Sequence, residues 1–326
     1  IMENGDTINA GVRYNQYCDY YYPSIQGLMA LPKPESPNKF GLFHSVVNDD
    51  TFLHTQIRYT EIDASLNNGL GKVVSKDEIV LQDTISSLLS AVRHANGRDW
   101  WIVLSERNVN SFYLIRYDPN GPQDIRHLQL TDSVGTSTDI MQTTFSPDGS
   151  IYAIANRYQG LRLYNFDRCN GTFSDLLRIE SEADTLPING VAISPNNRFL
   201  YVSAVEYLYQ FDLNHDNIAE SRQVIAQYDG YLIADSPALR TTFSNLLLAP
   251  DGKIYGTAPN SSNVLHVIHA PNEQGLDCDL EQHGLEIPTL HGFDPPNFPH
   301  FRLWDIPGSP CDTLGIDTPT DLEDIA

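Results

Sequence analysis

The sequence predicts an all-β propeller built from four-stranded antiparallel blades. Three observations carry this. A turn-and-strand motif recurs five times, with its Asn or Asp at positions 38, 96, 148, 196 and 251, so that the spacings are 58, 52, 48 and 55 residues. Each repeat holds about four short runs in which apolar and polar residues alternate, the period of a strand. No segment carries a helical stripe long enough to compete.

The motif begins with Ser36-Pro37-Asn38, Ala95-Asn96-Gly97, Ser146-Pro147-Asp148-Gly149, Ser194-Pro195-Asn196-Asn197 and Ala249-Pro250-Asp251-Gly252. Asn-Gly and Asp-Gly supply the positive φ that a tight hairpin needs. The preceding proline sets φ and has no N–H for a ladder, so it belongs at a strand end. An aromatic and β-branched run follows each turn, as in Trp100-Trp101-Ile102-Val103 and Phe199-Leu200-Tyr201-Val202. A second run comes next, such as Phe112-Tyr113-Leu114-Ile115 or Leu161-Arg162-Leu163-Tyr164. A more polar strand then closes most repeats, as in Ile125-Arg126-His127-Leu128. Four strands in about 50 residues define a propeller blade. A sandwich has no such period, and a β-helix has a much shorter one.

Dividing the 326 residues by the mean spacing gives room for roughly six blades. Residues 1–9 read as the end of one blade, and Pro296-Asn297-Phe298-Pro299-His300-Phe301-Arg302 as the start of another. We therefore expect a seven-bladed ring whose opening blade is incomplete in this chain. The propeller is expected to fill residues 1–310, with an acidic linker over 311–326.

Composition limits the partners. Acidic residues outnumber basic ones 42 to 20, and the net charge of −22 excludes a phosphate backbone or an anionic membrane surface as the natural target. No apolar run is long enough for a helical membrane span. Four cysteines, Cys18, Cys169, Cys278 and Cys311, make no Cys-x-x-Cys pair, so a zinc knuckle or thioredoxin-like site is not expected. They allow three disulfide pairings, or four free thiols, and the sequence does not choose.

His94-Ala95-Asn96-Gly97-Arg98-Asp99-Trp100-Trp101 resembles a hallmark segment of large secreted surface proteins of Bacteroidetes, the gliding-motility-associated or type IX sorting-domain proteins. Asn4-Gly5-Asp6-Thr7-Ile8-Asn9, Asn165-Phe166-Asp167-Arg168-Cys169 and Gly308-Ser309-Pro310-Cys311-Asp312 also match, in order along nearly the whole chain. The resemblance implies an exported propeller at the outer cell surface and carries over no catalytic residues. The expected role is a non-catalytic surface module for adhesion, matrix or filament assembly, whose partner is an extracellular protein or glycan or a further copy of itself. The alternative is a propeller-type hydrolase or lactonase acting on carbohydrate-like substrates.

His94, Asn96, Arg98, Asp99 and Trp100 form the densest polar-aromatic cluster and are the candidate binding residues. A plainer reading makes them a turn plus a tryptophan filling the space between blades. No phosphate loop, zinc-protease helix or nucleophile elbow occurs, so neither catalytic residues nor a cofactor is expected. His266 and His269 fall on opposite faces of a strand, which disfavours a shared metal. Asp49-Asp50 and Asp277-Cys278-Asp279 offer oxygen ligands for calcium, but neither fits an EF-hand loop. Tyr20-Tyr21-Tyr22-Pro23 is a candidate carbohydrate-stacking surface or a packed loop. Five Asp-Ser/Thr-apolar triplets place expected O-glycans on Thr7, Thr84, Ser133, Thr185 and Thr313, as the resemblance implies.

Overall fold

The computed structural model describes residues 2–6, 8–9, 11–17, 24–107, 111–129, 140–157, 159–180, 187–259, 262–292 and 294–314. It contains five four-stranded antiparallel sheets, each a blade whose strands follow one another in chain order. Blade 1 comprises β1 (Leu28–Pro32), β2 (Lys39–Val47), β3 (His54–Asp63) and β4 (Lys72–Ile85). Blade 2 comprises β5 (Ser90–Arg93), β6 (Trp100–Ser105), β7 (Ser111–Asp118) and β8 (Gly121–Gln129). Blade 3 comprises β9 (Ile140–Phe145), β10 (Ile151–Asn156), β11 (Gly160–Asp167) and β12 (Thr172–Ile179). Blade 4 comprises β13 (Gly190–Ile193), β14 (Phe199–Ala204), β15 (Tyr207–Asp212) and β16 (Gln223–Gln227). Blade 5 comprises β17 (Leu246–Leu248), β18 (Ile254–Thr257), β19 (Ser262–Ile268) and β20 (Leu280–His291).

The recurring turns occupy one equivalent place, joining the first and second strands of every blade. Their backbone bonds repeat: His94 N–H to Asp99 O, Ser146 N–H to Ile151 O, Ser194 N–H to Phe199 O and Ala249 N–H to Lys253 O. The Asx side chain accepts from the backbone two residues on, as Asp148 does from Ser150, Asn196 from Arg198 and Asp251 from Lys253. Positive φ then falls on Gly97, Gly149, Asn197 and Gly252. In blade 1 the matching bond runs from Lys33 N–H to Lys39 O, so the turn opens earlier than Ser36-Pro37-Asn38 suggests.

Side-chain alternation builds the core. Trp100 packs toward blade 1 and its neighbour Trp101 toward blade 3, because successive residues of a strand point to opposite faces. Four apolar clusters fill the four spaces between successive blades. Blades 2 to 4 are therefore covered on both faces, and β6 and β14 are buried at every position. Among the described residues no such cluster joins blade 5 to blade 1. In those blades β1 and the first half of β19 alternate buried with more exposed positions, the pattern of a sheet covered on one face.

The blade count is five rather than the seven expected. Three strands are much longer than the average repeat allows: β4 has 14 residues, β20 has 12 and β3 has 10. The stretch from 294 to 304 forms no strand. It carries Pro295, Pro296 and Pro299, which have no N–H for a ladder. At the other end, Glu3 makes a single parallel bridge to Lys72 at the outer edge of blade 1.

Candidate functional site at the propeller axis

The first strands of the blades converge on the axis, and side-chain amides join them there. Gln142 on β9 accepts at Oε1 from the N–H groups of Val191 (3.0 Å) and Leu246 (2.9 Å), and its Nε2 donates to Leu246 O. One carboxamide thus ties blade 3 to blades 4 and 5, since it presents the same donor and acceptor as a peptide group. Gln26, just before β1, does the same to blade 3. Its Oε1 accepts from Thr143 N–H at 2.8 Å and its Nε2 donates to Thr143 O at 3.0 Å. Asn245 donates to Met141 O, and the hydroxyls of Ser90 and Thr143 bond each other at 2.6 Å.

Residues 294–314 form a strap along this axis. Asn297 Nδ2 faces the carbonyls of Gln26, Leu28 and Leu89 at 2.9–3.1 Å. Further along, Ile306 N–H bonds Ala95 O. Buried Arg168 donates to the carbonyls of Arg93, Asp148 and Trp304, so it joins the turns of blades 2 and 3 to the strap. Desolvation pulls its guanidinium down to about 10. The next residue, Cys169, is disulfide-bonded to Cys311. The bond fixes Cys311, the first residue of the expected linker, against blade 3; with Cys278 free, the described residues hold one bridge rather than a full pairing of all four cysteines. Cys278 is a buried free thiol.

Between the strap and the first strands lies a cavity of about 510 Å³. Met29, Val92, Phe145 and Leu247 line it from the blades, and Phe298 and Phe301 from the strap. The turn prolines Pro147, Pro195 and Pro250 complete the wall, so the repeat motif itself shapes the cavity. The amides and hydroxyls at its surface are engaged with one another or with backbone. Arg302 and His300 are the lining's polar side chains outside this network: both are exposed and neither side chain makes a hydrogen bond or ion pair with any described residue. Beside the axis, Asp294 accepts from Gln26 N–H while its Oδ1 is buried without a partner among the described residues. Burial pushes its carboxyl up to about 6.

The candidate binding residues His94, Asn96, Arg98, Asp99 and Trp100 sit on the β5–β6 turn and are largely engaged internally. Asn96 Oδ1 accepts from the N–H groups of Arg98 and Asp99, and its Nδ2 donates to Asp99. Arg98 bonds Asp99 at 2.7 Å and Glu35 at 2.8 Å. His94 Nδ1 accepts from Asn96 N–H, and its ring lies against Trp101. Trp100 is fully buried between blades 1 and 2 beneath the Arg93 guanidinium. These residues lie outside the axial cavity, although Arg98 borders a shallow surface depression with Pro32, Lys33 and Leu314.

Thr84 lies within β4, half-buried and next to Asp83, rather than in a loop between blades. Thr313 is exposed on the strap. Thr7, Ser133 and Thr185 lie outside the described residues, as does the Tyr20–Pro23 run. Asp49, Asp50, Asp277 and Asp279 are exposed turn residues. Among the described residues no three His, Cys, Asp or Glu side chains converge as a metal site.

The sequence analysis missed Gln26, Asp294 and the strap's role. The available signal was polar side chains at the very start of apolar strands, as in Gln142-Thr143-Thr144, and a proline-rich run unable to form a ladder.

No protein-family model matches this chain, and no curated protein does. Among solved structures it is similar to a protein of unknown function from Desulfotomaculum acetoxidans, at 12% identity over 83% of this chain and 76% of that one, with a TM-score of 0.45. It is also similar to a candidate 6-phosphogluconolactonase from Bacteroides uniformis, at 14% identity over 80% of this chain and 86% of that one, with a TM-score of 0.47. Neither likeness bears on function.

Proposed function

We propose that this chain is a non-catalytic, exported binding module whose axial cavity receives an apolar part of an extracellular partner, protein or glycan. The observation that supports this best is the character of the cavity: preformed, walled by apolar side chains, with its amides and hydroxyls engaged in holding the blades together. Hydrolysis calls for groups free to accept and donate protons at a substrate, usually with a second charge to orient them; the lining offers His300 and Arg302 but no carboxylate. The Cys169–Cys311 disulfide supports an oxidising compartment, where such bonds persist. The net charge of −22 supports partners other than nucleic acid.

The test is capture from a native cell-surface extract by the immobilised chain, alongside a Leu247→Trp variant that fills the cavity. A partner retained by the parent chain and lost by the variant is the expected result. Equal retention by both would remove the cavity from the reading.

Asp294 favours a second reading, a hydrolase or lactonase acting on carbohydrate-like substrates. A carboxyl held at about 6 beside a cavity is suited to general-base work near neutral pH. Turnover of a sugar lactone that disappears in Asp294→Asn would establish that reading and displace the first.

A further inference from the structure

The binding reading leaves open what the cavity accepts, and its chemistry is specific. We infer that the axial cavity takes an amphipathic monocarboxylate: an aliphatic or aromatic body among the apolar walls, with the carboxylate on Arg302. This rests on the binding reading of the same site.

The body follows from how the polar groups are used. Gln142 spends both ends of its amide on Val191 and Leu246, and Gln26 spends both on Thr143. Ser90 and Thr143 bond each other, and Asn297 shares the two N–H donors of its amide among three carbonyls. A polyhydroxylated ligand would lose its water here with only His300 and Arg302 free to bond it, and each hydroxyl left unmatched is penalised. What remains for contact is Met29, Val92, Phe145, Leu247, Phe298 and Phe301. Burial of apolar surface against them is favourable. The volume of about 510 Å³ is within the usual range for a small-molecule site.

The head group follows from charge. The chain carries −22, which repels anions in general, so an anion needs a local cation. Arg302 supplies it: exposed, in the lining, and without an ion pair to any described residue. Its planar fork matches a carboxylate in two parallel hydrogen bonds. The neighbouring acid, Asp294, is turned to the backbone of Gln26 and is not part of the lining.

The experiment uses the intact chain and the fluorophore anilinonaphthalene sulfonate, itself an apolar body with an anionic head. Displacement is measured with laurate, dodecanol, dodecyltrimethylammonium and gluconate. The probe should bind at one site per chain and be displaced by laurate, roughly tenfold less well by dodecanol, and hardly by the cation or gluconate. Arg302→Gln, a surface change that the fold tolerates, should weaken laurate roughly tenfold and leave dodecanol unchanged. Leu247→Trp should abolish both, with the melting curve checking its fold. Failure of laurate to displace the probe, equal displacement by the cation, or displacement by gluconate would overturn the inference. If laurate fails while Leu247→Trp still loses the captured surface partner, the ligand class is wrong and the binding reading stands. If neither effect occurs, both fall.

Discussion

At the scale of single residues, side-chain amides do at the axis what backbone does elsewhere. The first strands of a propeller splay from one another, and their inward N–H and C=O groups must still be paired. Gln142 satisfies two N–H groups and one carbonyl on two other blades. Gln142→Leu removes these partners without creating a void. Orphaned buried N–H groups cost about 1–3 kcal/mol each, so the variant should lose about 2–5 kcal/mol, read as a lower urea midpoint. The buried imidazoles make a separate prediction. Burial holds His44, His54 and His266 down at about 4, with Asp77 opposing the shift at His44. Their folded values lie below the ordinary 6.5, so the unfolded chain binds protons first as the pH falls. Stability that is complete above 6.5 is therefore lost progressively toward 4. Denaturant midpoints across that window should fall in the parent chain and fall less in His266→Gln. The sequence marks Gln142 only as a polar residue at the start of an apolar strand, and these roles do not follow from that alone. A glutamine in a strand looks the same whether it meets solvent or another blade, and a histidine's value depends on what folding places over it.

At the scale of elements, the turns were the most legible part of the chain. Their Asx-Gly chemistry is local, so it survives whatever surrounds it, and all five turns join the same pair of strands. Gly149 shows how strictly the local rule holds. Its φ is +74°, and a Cβ there would stand 2.5 Å from Val92 Cγ2 and 2.8 Å from Arg168 Cδ. Gly149→Ala should cost more than about 1 kcal/mol and disturb the Arg168 bonds to the strap. Asn197 fills the equivalent place at φ +59°, which asparagine tolerates better than other residues. The 296–302 run was misread as a strand because its aromatic residues have the right composition. Pro296 and Pro299, which have no N–H for a ladder, were the contrary signal in the run itself; what the sequence does not reveal is that Asn297 would find carbonyls at the axis. The His94–Trp100 cluster was legible as a cluster. Its bonds run chiefly among its own members, an arrangement that depends on the turn closing and so is invisible in spacing alone.

At the scale of the whole molecule, the number of blades depended on strand lengths that no turn motif records, and the axial site depended on a strap contributed from outside the blades. The strap's anchorage can be tested directly. Five attachments hold residues 294–314: Asp294 and Asn297 at the axis, Arg168 at Trp304, Ile306 at Ala95, and the disulfide at Cys311. The first four are hydrogen bonds between groups that water would otherwise satisfy, each worth about 1 kcal/mol net. The disulfide closes a loop of 142 residues, and removing such a bond typically costs about 2–5 kcal/mol. It is therefore the strongest single anchor, while the blades rest on their own apolar clusters. A double Cys169→Ser, Cys311→Ser variant should keep its β-sheet circular dichroism and yet become cleavable by trypsin after Arg302, which is already exposed. The same variant should exchange a cavity ligand faster, because one wall of the cavity is free to lift. Trypsin resistance equal to that of the parent chain would mean that the hydrogen bonds suffice, and that the covalent tie serves the unfolded chain rather than the site.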